Sequence, residues 1–115
     1  MQPLTPLTMA ILLSLADGDR HGYALMKEIE EQTDGNLRPG TGSLYAALQR
    51  LMDDGLILEP TDPPEDEDRR RRYYRITDAG RDVAREEARR MLRVLDIARR
   101  KELAPDWMPA PERVP

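Results

Sequence analysis

The apolar residues of this chain fall into blocks with different periods, and each block predicts an element. Met9, Ile11, Leu12, Leu13, Leu15 and Ala16 crowd so closely that they wrap most of one turn after another, as in a central buried helix. Thr5 is a suitable N-cap for it, Pro6 suits its first turn, and Asp17-Gly18-Asp19 ends it. A second helix begins near His21-Gly22, carries Tyr23, Leu25, Met26 and Ile29 on one side and Lys27, Glu28, Glu30 and Glu31 on the other, and stops at Thr33-Asp34-Gly35-Asn36. A third helix runs from about Thr41 to Asp54, with Leu44, Ala47, Leu48 and Leu51 as its apolar face and Gly55 as its stop.

The period then changes. Leu56 to Pro60 reads as a strand and Arg71 to Ile76 as its antiparallel partner, with the polar loop Thr61 to Asp68 as the tip of the hairpin. Of Tyr73 and Tyr74, alternation sends one to the core and one outward. Thr77-Asp78 caps a long helix that reaches about Leu103. Helix, hairpin, helix in this order predicts a mainly α fold with a small β-hairpin: a winged helix-turn-helix over 1–76, a dimerisation helix over 77–103, and a Pro-rich, disordered tail over 104–115 that holds Trp107.

Along the last helix, Ala84, Ala88, Met91, Leu95 and Ala98 follow the 4, 3, 4, 3 spacing of a two-helix seam. Leu92, Val94 and Ile97 widen the apolar face beyond what covering one small core requires, which predicts a second copy of the chain. Composition agrees. At 115 residues with 4% aromatics and no Phe, a single small aliphatic core is all the chain can build.

Charge is where function becomes legible. The net charge of −4 alone argues against nucleic acid, but residues 1–68 carry −10, residues 69–101 carry +8 and residues 102–115 carry −2. The basic block opens on the second hairpin strand, and a candidate recognition helix precedes the hairpin. That helix offers Thr41, Ser43, Tyr45, Ala46, Gln49 and Arg50 on its polar face. Small residues, an amide and a guanidinium suit entry into a DNA groove, where Gln pairs with adenine and Arg with guanine. Thr41 and Ser43 also have the chemistry of helix caps. Arg69, Arg70, Arg71 and Arg72 supply phosphate neutralisation from the wing, and strand alternation sets Arg69 and Arg71 opposite to Arg70 and Arg72. The acidic tip, Glu65 to Asp68, pulls the other way, but the arginines lie beside an anchored strand and prevail.

Other chemistries lack their residues. The chain has no Cys and one His, so neither disulfides nor a metal cluster are available. No nucleophile–base pair, phosphate loop or cofactor motif is present, and the reading is of a binding protein, not an enzyme. His21 is read as capping its helix and Tyr23 as core. No apolar run approaches the roughly 18 residues of a membrane span, and Met9 to Ala16 lacks the preceding basic residues of a signal peptide, so a cytoplasmic protein is expected.

Four motifs in order add a resemblance: Leu4-Thr-Pro-Leu-Thr-Met-Ala-Ile-Leu-Leu13, His21-Gly-Tyr-Ala-Leu25, Gly42-Ser-Leu-Tyr45 with Leu48, Leu51 and Gly55, and Arg72-Tyr-Tyr-Arg-Ile-Thr-Asp-Ala-Gly80. Over roughly residues 4 to 100 the chain resembles PadR-type transcriptional regulators, in their short form with a single C-terminal helix. The resemblance implies a homodimeric repressor that binds a double-stranded operator, and a small hydrophobic or phenolic effector that weakens the binding. A winged-helix module that holds a protein partner through its acidic half is the alternative.

Overall fold

The computed structural model describes residues 4–65 and 70–104. Its elements are α1 (Pro6–Leu15), β1 (Arg20–His21), α2 (Gly22–Gln32), α3 (Thr41–Asp53), β2 (Ile57–Leu58), β3 (Tyr73–Ile76) and α4 (Asp78–Arg100). Asp66 to Arg69 and the tail from Pro105 onward, with Trp107, lie outside the described residues. The chain divides into two compact units, one ending at Ala84 and one beginning at Arg85.

The helix termini follow from their residues. Thr5 Oγ1 accepts the Thr8 N–H at 3.1 Å while Thr8 Oγ1 accepts the Thr5 N–H at 2.8 Å, a reciprocal box that fixes the start of α1. α3 ends in a paired motif: the Leu56 N–H donates to Leu51 O at 2.9 Å and the Gly55 N–H to Met52 O at 3.0 Å. The residue between must turn left-handed, and Gly55 does so at φ +75°. Thr77 Oγ1 accepts the Gly80 N–H at 3.0 Å and donates to Gly55 O at 2.7 Å, so the start of α4 is tied to the end of α3.

The predicted hairpin is part of a three-stranded antiparallel sheet, ordered β1-β3-β2. Arg20 faces Tyr74 and His21 faces Tyr73 on one edge; Ile57 faces Ile76 and Leu58 faces Arg75 on the other. β1 was not expected, because two residues cannot display a period. Both strands of the hairpin are also shorter than predicted, since only Ile57–Leu58 and Tyr73–Ile76 pair. Alternation along β3 holds: Tyr74 and Ile76 are buried, and Tyr73 and Arg75 are half-buried.

The core of the first unit joins Ile11, Leu12 and Leu15 of α1, Leu25 and Ile29 of α2, and Leu44, Leu48 and Leu51 of α3 to Leu56, Ile57, Tyr74 and Ile76; Val83 and Ala84 pack against its margin. Leu13 and Ala16 are exceptions to the expected wrapping of α1. Leu13 stands about 200° around the helix from both Ile11 and Leu15, so it faces solvent when they face the core. Tyr23 departs in the same way. Two residues before Leu25 is the opposite side of α2, and Tyr23 is 59% exposed, with the Lys27 ammonium 5.8 Å from its ring centroid.

In the second unit, the residues of α4 beyond Ala84 form an amphipathic helix. Met91, Val94 and Ile97 are exposed, while Leu92, Leu95 and Ala98 are half-buried. Ion pairs Glu86–Arg89, Glu87–Arg90 and Asp96–Arg100 lace its polar side. The Arg90 guanidinium holds the Glu87 carboxyl below its ordinary pKa. The helix ends at Arg100, three residues before the predicted Leu103.

Candidate nucleic-acid interface

α3 turns one face to the core and the other to solvent, and the division is clean. Leu44, Ala47, Leu48 and Leu51 are buried, while Thr41, Ser43, Tyr45, Ala46, Gln49 and Arg50 are all exposed. All six polar-face residues therefore lie on one accessible surface. Thr41 and Ser43 do not cap: the N-cap is Gly40 and no side chain serves it. The first-turn amides of α3 thus have no side-chain cap, and such a terminus favours negative charge. Gln49 Nε2 donates to Asp53 Oδ1 at 2.9 Å, which holds the amide along the helix.

Tyr45 links this surface to a groove. Its hydroxyl lies so close to the start of α2 that a Cβ on Gly22 would stand 2.5 Å from Tyr45 Oη, so any larger residue there would displace the phenol. His21, Gly22, Tyr23, Tyr45, Arg70, Arg71 and Arg72 line a groove of about 440 Å³. Three guanidinium groups, an imidazole and two phenols thus meet beside the exposed face of α3. Arg69 lies outside the described residues.

The opposition of alternate arginines was expected from a strand reaching back to Arg71; Arg70, Arg71 and Arg72 precede the paired residues of β3, and all three line the groove. Alternation requires a strand, and pairing begins only at Tyr73, so the strand period does not govern the three residues before it.

His21 does cap α2, accepting the Ala24 N–H on Nδ1 at 3.2 Å. Its other ring nitrogen, Nε2, lies 3.3 Å from Arg71 Nη1. The Tyr73 ring meets His21 edge to face at 5.4 Å. Arg72 pairs with Glu59, and this partner raises its guanidinium pKa further. Burial raises the pKa of the Tyr74 phenol, and Arg72 opposes the shift. The groove is therefore cationic at neutral pH, with one of its arginines, Arg72, paired to Glu59.

Sequence reasoning missed the α2 contribution to this groove. His21 pairs with Tyr73 across more than fifty residues, and no local pattern announces such a contact. The one local sign was the small residue Gly22 directly after a capping histidine.

Residues 11–86 match the transcriptional regulator PadR-like family. The chain belongs to that family. A transcriptional regulator of Mycobacterium tuberculosis is 37% identical over 79 residues, covering 69% of this chain and 69% of the relative. A regulator from Escherichia coli is 43% identical over 51 residues, which span 44% of this chain but 25% of the relative, so the chain spans about a quarter of that protein's length. A 37.1 kDa protein of a Streptomyces fradiae transposon is 43% identical over 86 residues, again across 23% of its own length.

Among solved structures, a transcriptional regulator from Clostridium thermocellum superposes with a TM-score of 0.67 at 29% identity, covering 81% of this chain and 89% of the other. A PadR family regulator from Clostridium difficile gives a TM-score of 0.71 at 21% identity over 84% and 97% of the two chains, a likeness of fold. This PadR-like chain thus has the winged-helix architecture of its family. Among the described residues no helix is long and apolar enough to cross a membrane.

Proposed function

We propose that the chain binds double-stranded DNA in a sequence-specific manner and represses transcription as a homodimer in the cytoplasm. The observation that carries the reading is the continuity between the exposed face of α3 and the arginine-lined groove. Gln49 and Arg50 read base edges in this assignment, with Thr41, Ser43, Tyr45 and Ala46 against the groove wall. Arg70, Arg71 and Arg72, with Arg69 completing the run, neutralise phosphates and fix register without reading sequence. Binding is the whole activity; repression follows from occupying the promoter.

Dimerisation uses Ala84, Ala88, Met91, Leu92, Leu95 and Ala98. The exposure of Met91, Val94 and Ile97 supports a partner for this face. A small hydrophobic or phenolic effector that weakens operator binding would act at the same helical stripe, around Met91 and Leu95.

The test is a gel shift with the DNA upstream of the chain's own gene across a range of salt. The wild type binds saturably, with an affinity that falls steeply as salt rises. Gln49→Ala and Arg50→Ala each weaken binding by roughly 1–3 kcal/mol and leave thermal unfolding unchanged. Unaltered affinity in both variants, or no binding by the wild type, would return the alternative of a protein-interaction module built on the acidic half.

A further inference from the structure

The wing has a weak backbone scaffold for the work assigned to it. β2 and β3 pair at two registered positions, Ile57–Ile76 and Leu58–Arg75, so the ladder stops well short of Arg70 to Arg72. β1 pairs with β3 at Tyr73 and Tyr74, and Arg72 pairs with Glu59, but the arm that leaves β2 beyond Glu59 has, among the described residues, no ladder partner in the sheet.

Arg75 sits at the last of those positions, on the central strand. Its guanidinium grips Asp19 with two bonds, Nε to Oδ1 at 3.0 Å and Nη2 to Oδ2 at 2.9 Å. Its third nitrogen, Nη1, reaches Asp62 Oδ1 at 3.1 Å, on the arm that leaves β2. Asp19 is the fixed end, with a side chain 15% exposed against 76% for Asp62. The backbone of Asp19 is itself held, because Arg20 Nη1 donates to its carbonyl at 3.1 Å while Arg20 Nε donates to Glu28 of α2 at 2.9 Å. A chain of charge-assisted bonds therefore runs from α2 through Arg20, Asp19 and Arg75 to the outgoing arm of the wing.

We propose that Arg75, Asp19 and Asp62 are a brace that positions the wing arginines for DNA, and that none of the three touches DNA itself. The inference rests on the DNA-binding reading above. Half-exposed ion pairs add little to stability, so the network is better explained by the geometry it fixes. The geometry also demands arginine, since a lysine cannot span two partners with a rigid fork.

The test uses a duplex recovered by the wild-type protein from a random pool. Asp19→Asn is the decisive variant, because it makes the protein more positive by one charge. A pure charge effect tightens binding. Loss of the brace weakens it, by about tenfold, and lowers the salt slope by about one unit as a phosphate contact is lost. Arg75→Gln has the same effect and Arg75→Lys an intermediate one. In a background with Arg70, Arg71 and Arg72 all changed to Gln the Asp19→Asn loss disappears; in an Arg50→Gln background it persists, because the brace acts through the wing and not through α3.

Asp19→Asn binding as tightly as wild type or tighter, or losing as much in the wing-stripped background, would overturn the proposal. If the wild type recovers no duplex, the DNA reading fails and the brace is judged on amide exchange alone. Faster exchange at Leu58 and at Tyr73 to Ile76 in Asp19→Asn then supports it, and unchanged exchange refutes it.

Discussion

α1 and α4 are both rich in aliphatic residues, yet they meet opposite fates. α1 buries Thr8, Met9, Ala10, Ile11, Leu12, Ser14 and Leu15, most of its ten residues, inside its own chain. α4 has 23 residues and buries only Gly80, while Met91, Val94 and Ile97 are 44%, 53% and 52% exposed. The difference is one of partners. Elements packed on several sides cover most of the circumference of α1, with Leu13 left out, so a nearly all-round apolar pattern is stable there. α4 keeps a polar side laced with ion pairs and an apolar side that the described residues of one chain leave open. That open apolar side is the face the proposed dimer seam would cover.

This contrast separates two kinds of damage. Leu12→Ala opens a cavity in the centre of the first unit and costs about 2–5 kcal/mol. Domains of this size hold about 5–15 kcal/mol in total, so urea unfolding shows a large drop in midpoint. The loss is present at every protein concentration. Leu95→Glu instead places a carboxylate in the proposed seam. It weakens self-association by at least about 3 kcal/mol, more than a hundredfold in dissociation constant. Sedimentation shows a monomer at micromolar concentration, and the melting temperature loses its dependence on concentration. A wild-type chain that is already monomeric at that concentration breaks the comparison, because α4 would then have no partner.

The same two helices mark what the sequence made legible. The crowding of α1 and the 4, 3, 4, 3 spacing of α4 are local periodicities, and local periodicity survives in a linear reading. The two faces of α3 were legible for the same reason. What was lost is pairwise and distant. β1 is two residues long and exists only because Tyr73 and Tyr74 lie beside it. The shared groove of Arg70, Arg71 and Arg72 depends on where pairing begins, which the hairpin's ends decide and composition does not. Tyr23 and Leu13 were misplaced for a third reason: apolar character was allowed to outweigh angular position on the helix.

A smaller effect probes the quality of the core that α1 organises. Tyr74 is fully buried, and its hydroxyl has no hydrogen-bond partner among the described residues. Tyr74→Phe removes that orphan and raises stability by about 1 kcal/mol at neutral pH. The pH dependence has a definite sign. Burial raises the phenol pKa in the folded chain, so the unfolded chain ionises first, near pH 10. Stability present below pH 10 therefore falls as pH rises above it, and Tyr74→Phe flattens that alkaline decline. Destabilisation by the same substitution would show that the hydroxyl is bonded and that the core is better satisfied than it looks.

The smallest expected effect tests the boundary between the two helices' roles. Leu13 is the large apolar residue of α1 that escapes the core, at 50% exposure. If α1 serves its own chain alone, Leu13→Gln shifts stability by less than about 0.5 kcal/mol, as surface substitutions do. Helix propensity changes little between Leu and Gln, so the backbone adds no term of its own. The measurement is made at two protein concentrations, because the alternative has a distinct signature. If a second copy covers Leu13, the substitution weakens self-association, and the loss of stability grows as the protein is concentrated into its dimeric range. That outcome would move α1 from the interior half of the comparison to the shared half. A null result at both concentrations leaves α4 alone as the helix that waits for a partner.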